Sequence, residues 1–181
     1  GSKKNILEFL SNPLFELIDS GDLEMFKSEV VSDNLNYPDE TGMTPLMYAC
    51  ELEEPSFVDV LLTTGANKNL INDDRETALI ISINNGNDEI INSLLNKGGN
   101  IDLEIHDEDG NTAVMIAAMK GDVDNVEKLI QYGASTSLVN NDNLNIKEIV
   151  KNQIDDYNAI LSKLSITGGR KSRKKKKQIK Q

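Results

Sequence analysis

The stretch Thr44 to Gly65, TPLMYACELEEPSFVDVLLTTG, decides the fold because it returns twice with the same end residues. It reappears as TALIISINNGNDEIINSLLNKG from Thr77 to Gly98 and as TAVMIAAMKGDVDNVEKLIQYG from Thr112 to Gly133. The three threonines are therefore spaced by 33 and then by 35 residues. A segment that recurs at this period is one supersecondary unit that cannot bury its apolar face alone, so the units are predicted to stack.

Each unit predicts two antiparallel helices. The threonine hydroxyl can cap the first helix, and Pro45 suits the first helical position because a missing N–H costs nothing there. Small residues inside the first helix let the second helix lie close, and an apolar pair gives the second helix its buried stripe. The closing glycine suits the left-handed residue that ends a helix. The small residues are Ala49, Cys50, Ala117 and Ala118, and the apolar pairs are Leu61–Leu62, Leu94–Leu95 and Leu129–Ile130.

The pattern resembles the ankyrin-repeat family over roughly residues 12 to 165. This resemblance implies an all-α solenoid of stacked helix–turn–helix units with β-hairpin-like finger loops. About three full repeats and two degenerate caps are expected. Met47, Ile80 and Met115 stand where the family has the histidine of its TPLH motif, so the hydrogen bonds of that histidine are expected to be absent.

Three further departures from the family pattern affect the second and third repeats. Arg75 replaces the turn glycine, and Ile83 fills a position that is small in the family, which is expected to push the helices of that repeat apart. Two extra residues lie within 101–111, IDLEIHDEDGN, so this finger loop is predicted to be longer than its neighbours and to make a private contact.

The ends of the chain are predicted to be caps and extensions. Residues 1–11 form an N-terminal extension that begins with a Gly-Ser tag scar, residues 12–165 the repeat domain, and residues 166–181 a basic, disordered tail. In the first cap, a helix starts at Pro13, breaks at Gly21 and Asp22, and is followed by a second helix with an apolar stripe. That stripe is Leu23, Phe26 and Val30, and the last cap is predicted to contain helices near Ile146–Lys151 and Asp155–Lys163.

Charge divides the chain into two unlike parts. The formal net charge is −11, but all 30 acidic residues precede residue 169, where only 11 of the 19 basic residues lie. Residues 1–169 therefore carry 11 − 30 = −19, whereas the last 12 residues carry +8. The tail is predicted to bind anions through basic side chains and is open to three interpretations: a nucleic-acid arm, a localisation signal, or a pseudo-ligand for the acidic repeats. Its basic residues are Arg170, Lys171, Arg173, Lys174, Lys175, Lys176, Lys177 and Lys180.

The sequence offers little chemistry for catalysis. The single histidine, His106, stands beside Asp107, Glu108 and Asp109, and a solvated acidic turn is favoured over a metal site. The single cysteine, Cys50, lies among small helix residues and is predicted to be a buried structural thiol. No catalytic residue, metal or cofactor is predicted, and the chain is not expected to be an enzyme.

A partner surface is instead predicted on the concave face made of the turn tips and the exposed side of the first helices, as the resemblance implies. Its carboxylates far outnumber its cations, so it is expected to attract another protein, one with a basic segment. The alternative is that the body is acidic everywhere for solubility. The predicted partner-binding residues are Glu40, Met43, Glu51, Asp73, Asp74, Glu76, Asn84, Glu108, Asp109, Met119 and Asp142.

Function is therefore expected to be protein–protein interaction by a scaffold or adaptor. The alternative is a nucleic-acid-associated or nuclear protein that uses the basic tail while the repeats dock it. An intracellular location, cytoplasmic or nuclear, is expected from the lone cysteine and the absence of a visible secretory signal. The longest apolar runs, residues 78–83 and 113–119, are far too short to span a bilayer.

Overall fold

The computed structural model describes residues 12–155, and they form a stack of helix pairs. The helices are α1 (Pro13–Ser20), α2 (Leu23–Glu29), α3 (Pro45–Glu51), α4 (Pro55–Thr64), α5 (Ala78–Asn85), α6 (Asp88–Asn96), α7 (Ala113–Met119) and α8 (Val123–Gln131), and α9 occupies residues 146–155. Within this range the only β pairing is an isolated antiparallel bridge between His106 and Thr112. The predicted all-α class is confirmed.

The helices pack in two layers. Each odd-numbered helix from α1 to α7 packs against the helix that follows it, so each pair is one repeat. The first helices of neighbouring repeats also pack on one another, in the order α1, α3, α5 and α7. The second helices α2, α4 and α6 stack in the same order. Stacking of this kind buries the face that a single pair would leave in water, which is the defining property of a solenoid.

The predicted threonine caps are confirmed in two repeats and wrong in the third. The hydroxyl of Thr44 accepts a hydrogen bond from the Met47 amide at 3.3 Å, and the hydroxyl of Thr77 accepts one from the Ile80 amide at 3.2 Å. The Thr112 hydroxyl caps nothing, because the Met115 amide donates at 2.9 Å to the backbone carbonyl of Thr112 instead. Within the described residues the Thr112 hydroxyl is buried without a hydrogen-bond partner.

Met47 makes a hydrogen bond at the position where the family has its histidine, although no side-chain hydrogen bond was expected there. The Met47 sulfur accepts a hydrogen bond from the Thr44 amide at 3.4 Å, which completes a reciprocal capping arrangement at the start of α3. Ile83 is fully buried, and α5 nevertheless packs against α3, α6 and α7.

The core follows the predicted stripes with one exception. Leu61, Leu62, Leu94, Leu95 and Leu129 are buried, and the small residues of α3 and α7 are buried as well. Ile130 is 43% exposed, so the last apolar pair contributes only Leu129 to the core. The closing glycines Gly65, Gly98 and Gly133 adopt the predicted positive φ, at 101°, 75° and 99°.

Cys50 is fully buried in α3, as predicted. Burial disfavours the thiolate and raises the pKa of the Cys50 thiol to about 12. The thiol therefore stays protonated at neutral pH.

Lys68 is a buried cation that the sequence analysis did not single out. Its side chain lies under the end of α6, where Nζ donates at 2.9 Å to the backbone carbonyl of Leu94 and at 2.9 Å to that of Lys97. A lysine at a helix C-terminus satisfies carbonyls that have no partner inside the helix. Desolvation lowers the pKa of the Lys68 amine. The side chain thereby ties the loop after α4 to the next repeat.

The first cap follows the prediction, whereas the last cap differs from it. Helix α2 ends at Glu29, and the predicted stripe of Leu23, Phe26 and Val30 packs in or against the core, with Val30 one residue beyond the helix. Helix α9 continues through residue 155, so the predicted break between Lys151 and Asp155 is wrong. The predicted domain boundaries at residues 11 and 165 and the basic tail lie outside the described residues. No helix of the described part is both long and apolar enough to cross a membrane.

Candidate functional site

Four turns project from the stack, and each is closed by the same two hydrogen bonds. The first residue of the turn donates its amide to the carbonyl four residues later, at 2.9 to 3.1 Å, and its side-chain oxygen accepts from the amide of that same later residue, at 2.7 to 3.0 Å. A short Asp or Asn side chain can accept this second bond because its oxygen lies close to the backbone amides of the same turn. The four pairs are Asp39–Met43, Asn72–Glu76, Asp107–Asn111 and Asn140–Leu144.

Backbone hydrogen bonds also join some of the neighbouring turns. The Asp73 amide donates to the Thr41 carbonyl at 3.0 Å, and the Asn141 amide donates to the Asp109 carbonyl at 2.9 Å. Glycines make these approaches possible. A Cβ added to Gly42 would lie 3.0 Å from the Asp73 amide nitrogen, and one added to Gly110 would lie 2.7 Å from the Asn141 side-chain oxygen.

The second and third turns are not joined in this way. Arg75 occupies this position in the second turn with a left-handed φ of 61°, so a Cβ stands where the first and third turns have glycine. Within residues 12–155 the Glu108 amide makes no hydrogen bond to the preceding turn. The gap is a recess of about 260 Å³ lined by Asp74, Glu76, Asp107, Glu108 and Asp109.

The predicted lengthening of the third finger loop has a specific form. The closing bond from Asp107 to Asn111 spans the same number of residues as in the other turns, so the turn tip is unchanged. The two extra residues lie before the tip, between Gly98 and Asp107. The same loop contains the β-bridge between His106 and Thr112. The arm of the loop is therefore longer, while the acidic tip keeps its shape.

The five carboxylates of the recess differ in how much of their hydrogen-bonding capacity is already used. Asp107 closes its own turn by accepting from the Asn111 amide at 2.7 Å. Glu76 is half-buried and accepts from the side-chain amides of Asn84 at 3.2 Å and Asn72 at 3.3 Å.

The remaining carboxylates of the recess, Asp74, Glu108 and Asp109, are exposed. Among residues 12–155, no lysine or arginine forms a salt bridge with any of the five. Like charges therefore gather at this gap without a salt bridge to a described lysine or arginine.

The structure brings four of the predicted partner-binding residues to this recess: Asp74, Glu76, Glu108 and Asp109. It adds Asp107, which the sequence analysis weighed only as a neighbour of His106. The other predicted residues do not line the recess. Met43 is half-buried, Asn84 is bound to Glu76, and the remainder are exposed: Glu40, Glu51, Asp73, Met119 and Asp142. The predicted anion-binding residues of the tail, 170–177, lie outside the described part.

Acidic side chains are also exposed away from the turns. Glu89 on α6 and Asp124 and Glu127 on α8 are exposed and carry no hydrogen bond or salt bridge among the described residues. The acidic surface is therefore wider than the turn tips. His106 is exposed, and its Nδ1 lies 3.0 Å from the Asp107 carbonyl oxygen. In the described range no group of three or more His, Cys, Asp or Glu side chains converges on a single cation position.

Comparison with known proteins finds a family model and several curated proteins that resemble the repeats. The family model described as Ankyrin repeats (3 copies) matches residues 53–142. The chain is similar to three curated proteins: the human transient receptor potential cation channel subfamily A member 1, with 36% identity over 100 residues, the ankyrin repeat and KH domain-containing protein mask-1 of Caenorhabditis elegans, with 30% over 113 residues, and the human ankyrin repeat family A protein 2, with 30% over 89 residues.

These alignments cover 55%, 60% and 48% of this chain but only 9%, 4% and 28% of the three relatives. The likeness is therefore between repeat segments. It does not extend to the greater part of each relative.

Proposed function

The chain belongs to the ankyrin-repeat family, and we propose that it is a non-enzymatic scaffold that binds a basic segment of another protein. Ankyrin repeats are generally protein–protein interaction modules, and the curated relatives match through their repeats. The observation that supports a basic partner is the recess between the second and third turns, which five carboxylates line.

The recess suits a lysine or arginine side chain better than it suits a bare metal ion. Its carboxylates do not converge on one point, so they cannot all ligate a single ion. A guanidinium group presents five N–H donors in a plane and can engage several carboxylates at once. At about 260 Å³, the recess has room for such a group. Asp74, Glu108 and Asp109 are the exposed ligands, while Glu76 and Asp107 are held by the turns.

The carboxylates act on a basic partner in two ways. Acidic groups that face the same way sum their fields and raise the rate of association with a cationic segment. Each exposed ion pair adds about 0.2 to 1 kcal/mol once it forms. Three such pairs therefore contribute about 0.6 to 3 kcal/mol to the free energy of binding. This is enough to favour basic sequences over neutral ones without a deep pocket.

The test uses a fluorescent oligo-arginine peptide as the probe and measures its Kd for the full chain at low and at physiological salt. The site variant is the triple change Asp74→Asn, Glu108→Gln and Asp109→Asn. We expect it to weaken binding about tenfold, as three lost surface pairs imply. Glu76 and Asp107 are left unchanged because the Glu76 carboxylate accepts from the Asn72 and Asn84 side chains and the Asp107 carboxylate closes its own turn.

The matched control removes the same charge elsewhere, by Glu89→Gln, Asp124→Asn and Glu127→Gln on the second helices. Asp59 is not suitable for this control, because it forms a salt bridge at 2.5 Å with Lys97. We expect the control triple to weaken binding less than threefold, through net charge alone. Equal losses for the two triples would mean that bulk charge and not the recess attracts the peptide. The absence of binding by the unchanged protein at low salt would refute the proposal altogether.

The basic tail supports a second candidate function, a nucleic-acid-associated protein. Eight basic residues and no acidic residue stand in the last 12 positions, a composition that neutralises phosphates. A gel-shift series on single- and double-stranded DNA tests it, with the full chain and with residues 170–181 deleted. Binding that falls steeply with salt and vanishes with the deletion is expected. A shift that survives the deletion, or no shift by the full chain, contradicts this candidate.

A further inference from the structure

The end of helix α6 differs from the ends of α4 and α8 in the group that closes its last turn. In α4, the Leu61 carbonyl accepts a hydrogen bond from the Ala66 amide at 2.9 Å. In α8, the Leu129 carbonyl accepts one from the Ala134 amide at 3.0 Å. Each bond returns from the chain just beyond the helix to a carbonyl that has no partner inside the helix. These two helices are therefore closed by their own backbone.

The equivalent carbonyl of α6 is closed by a side chain. It belongs to Leu94, which stands 17 residues after the threonine of its repeat, as Leu61 and Leu129 do. Leu94 is fully buried, and in the part of the chain that the structure describes no backbone amide donates to its carbonyl. The donor is Nζ of Lys68, at 2.9 Å. A buried carbonyl without a partner is costly, so Lys68 supplies a bond that the backbone supplies elsewhere.

The backbone donor is missing where the chain is two residues longer. After α4 and α8, an apolar residue follows the closing glycine directly and bonds back to the helix. After α6, two further residues follow Gly98 before the corresponding apolar residue, Ile101. They are Gly99 and Asn100. The Ile101 amide is therefore seven residues from Leu94 instead of five, and it makes no backbone hydrogen bond among the described residues.

Lys68 itself stands where the neighbouring repeats have a buried leucine. Leu35 and Leu103 occupy the corresponding positions, nine residues before the threonine of the next helix, and are 4% and 7% exposed. Lys68 is equally buried at 4%, and no described carboxylate forms a salt bridge with it. Burying an amine is unfavourable unless its donors are satisfied. Both of its bonds, to the carbonyls of Leu94 and Lys97, go to the end of α6 where the chain is lengthened.

We propose that Lys68 and the two additional residues, Gly99 and Asn100, form one coupled unit that fixes the base of the third finger loop. The amine closes the end of α6 in place of the backbone, so the chain can leave the helix along a longer path. Asn69 adds to this attachment, because it donates to the Asn100 carbonyl at 3.2 Å and accepts from the Asp102 amide at 2.9 Å. Without the amine, the lengthened chain leaves a buried carbonyl unpaired.

The experiment is a double-mutant cycle on the full chain, measured by urea denaturation. Lys68→Met removes the amine and keeps an unbranched side chain, and it is made both in the native chain and in a chain that lacks Gly99 and Asn100. In the native-length chain, we expect Lys68→Met to raise the equilibrium constant for unfolding about tenfold or more, because it leaves a buried acceptor unpaired. In the shortened chain, the Ile101 amide can close on Leu94, so the same change should raise it less than about threefold.

Amide hydrogen exchange locates the effect in the molecule. In native-length Lys68→Met, we expect the Asp102 amide at the base of the third finger loop to exchange about tenfold faster. The Ala134 amide, which closes α8 through the backbone, is the internal reference and should change much less. Lys120→Met is the matched control, because it removes the same charge from an exposed side chain and should alter neither measurement.

Three results would overturn the proposal. Equal effects of Lys68→Met in the two chain lengths would show that the amine acts independently of the lengthening. Unchanged stability of native-length Lys68→Met would show that the amine closes nothing. If native-length Lys68→Met does not fold, the shortened chain with the same change should fold, and failure of both to fold is the third result.

Discussion

Arg75 breaks the glycine pattern of the turns at a place where a further turn follows. It holds a left-handed backbone conformation at the turn position where Gly42 and Gly110 stand, with φ of 61° against 77° and 79°. A left-handed conformation costs a residue with a Cβ roughly 1 to 2 kcal/mol, and the Cβ also prevents the next turn from approaching. One side chain thus explains both the local strain and the opening of the acidic recess.

Replacing Gly110 with a residue that has a Cβ should show how much the close approach of the third and fourth turns contributes to the free energy of unfolding. Gly110→Ala adds a Cβ that would lie 2.7 Å from the Asn141 side-chain oxygen and 2.9 Å from its amide nitrogen. Gly121→Ala is the control, because it has a similar φ of 70° and nothing within 4 Å of the added atom. Urea denaturation should show a loss of about 1 to 2 kcal/mol for Gly121→Ala from backbone strain alone. The loss for Gly110→Ala should be about 1 kcal/mol larger, from the broken turn contact. Equal losses would mean that the turn-to-turn bond adds no stability.

Tyr48 gives a pH-dependent test of the contact between the first cap and the first full repeat. Its hydroxyl donates to Asp19 Oδ1 at 2.6 Å, and this bond, followed by burial, raises the pKa of Tyr48 above its usual value. Because the folded pKa is raised, the stabilisation is complete below the unfolded pKa of about 10 and is lost as pH rises through the folded pKa.

Phenolate absorbance should therefore show one tyrosine that titrates late in the wild type. That late titration should move to lower pH in Asp19→Asn and remain in Glu16→Gln, a change on the exposed side of the same helix. A late titration that persists in Asp19→Asn would contradict the assignment.

At the scale of elements, the turns form two joined pairs with an open seam between them. The first turn is bonded to the second, and the third is bonded to the C-terminal one. In the two repeats on either side of the seam, polar groups join the second helices α6 and α8. Asn125 donates to Asp88 at 2.8 Å, Lys128 lies 3.8 Å from Asp88, and Tyr132 contacts Asn96. Polar contacts of this kind hold neighbouring elements less firmly than apolar burial does.

Amide exchange at single residues measures the seam directly. The amides of Asp73 and Asn141 are bonded to the preceding turn, while the Glu108 amide at the equivalent position is not, as far as residues 12–155 show. We expect Glu108 to exchange at least about tenfold faster than the other two. Arg75→Gly removes the obstructing Cβ and should slow Glu108 exchange. Equal protection of the three amides in the wild type would show that the seam is closed in solution.

The repeat architecture was predictable because its signals are local. A threonine, a small pair, an apolar pair and a glycine lie within one 22-residue segment, and each acts on its own helix. The opened seam and the buried Lys68 were not predictable in the same way. Lys68 bonds to carbonyls 26 and 29 residues away, and the seam depends on two turns meeting in space. Four of the five carboxylates of the recess were predicted only within a longer list of partner-binding residues, and Asp107 was not in that list, since sequence does not show which carboxylates lie side by side.

At the scale of the whole molecule, charge is the dominant asymmetry. The −19 of residues 1–169 disfavours a compact state through self-repulsion, and the tail offsets part of it. Deleting residues 170–181 changes the net charge from −11 to −11 − 8 = −19. Deleting residues 1–11, which contain Lys3, Lys4 and Glu8, changes it only from −11 to −12 and serves as a control of similar length.

We therefore expect added salt to raise the thermal midpoint more in the tail deletion than in the full chain, because screening relieves the larger repulsion. The N-terminal deletion should follow the full chain. Between about 0.01 and about 0.5 M salt the Debye length falls from about 30 to about 4 Å. An equal rise of the thermal midpoint in all three proteins over this range would show that the charge of the tail does not act on the repeats.

The sheltered Cys50 makes this protein convenient for spectroscopy. With no exposed side chain and a pKa of about 12, its thiol will not compete for maleimide or methanethiosulfonate reagents at neutral pH. Fluorophores or nitroxides can therefore be attached at engineered cysteines on any two turns, with the native chain otherwise intact. Distances between such probes would report whether the two joined pairs of turns move relative to each other when a ligand binds.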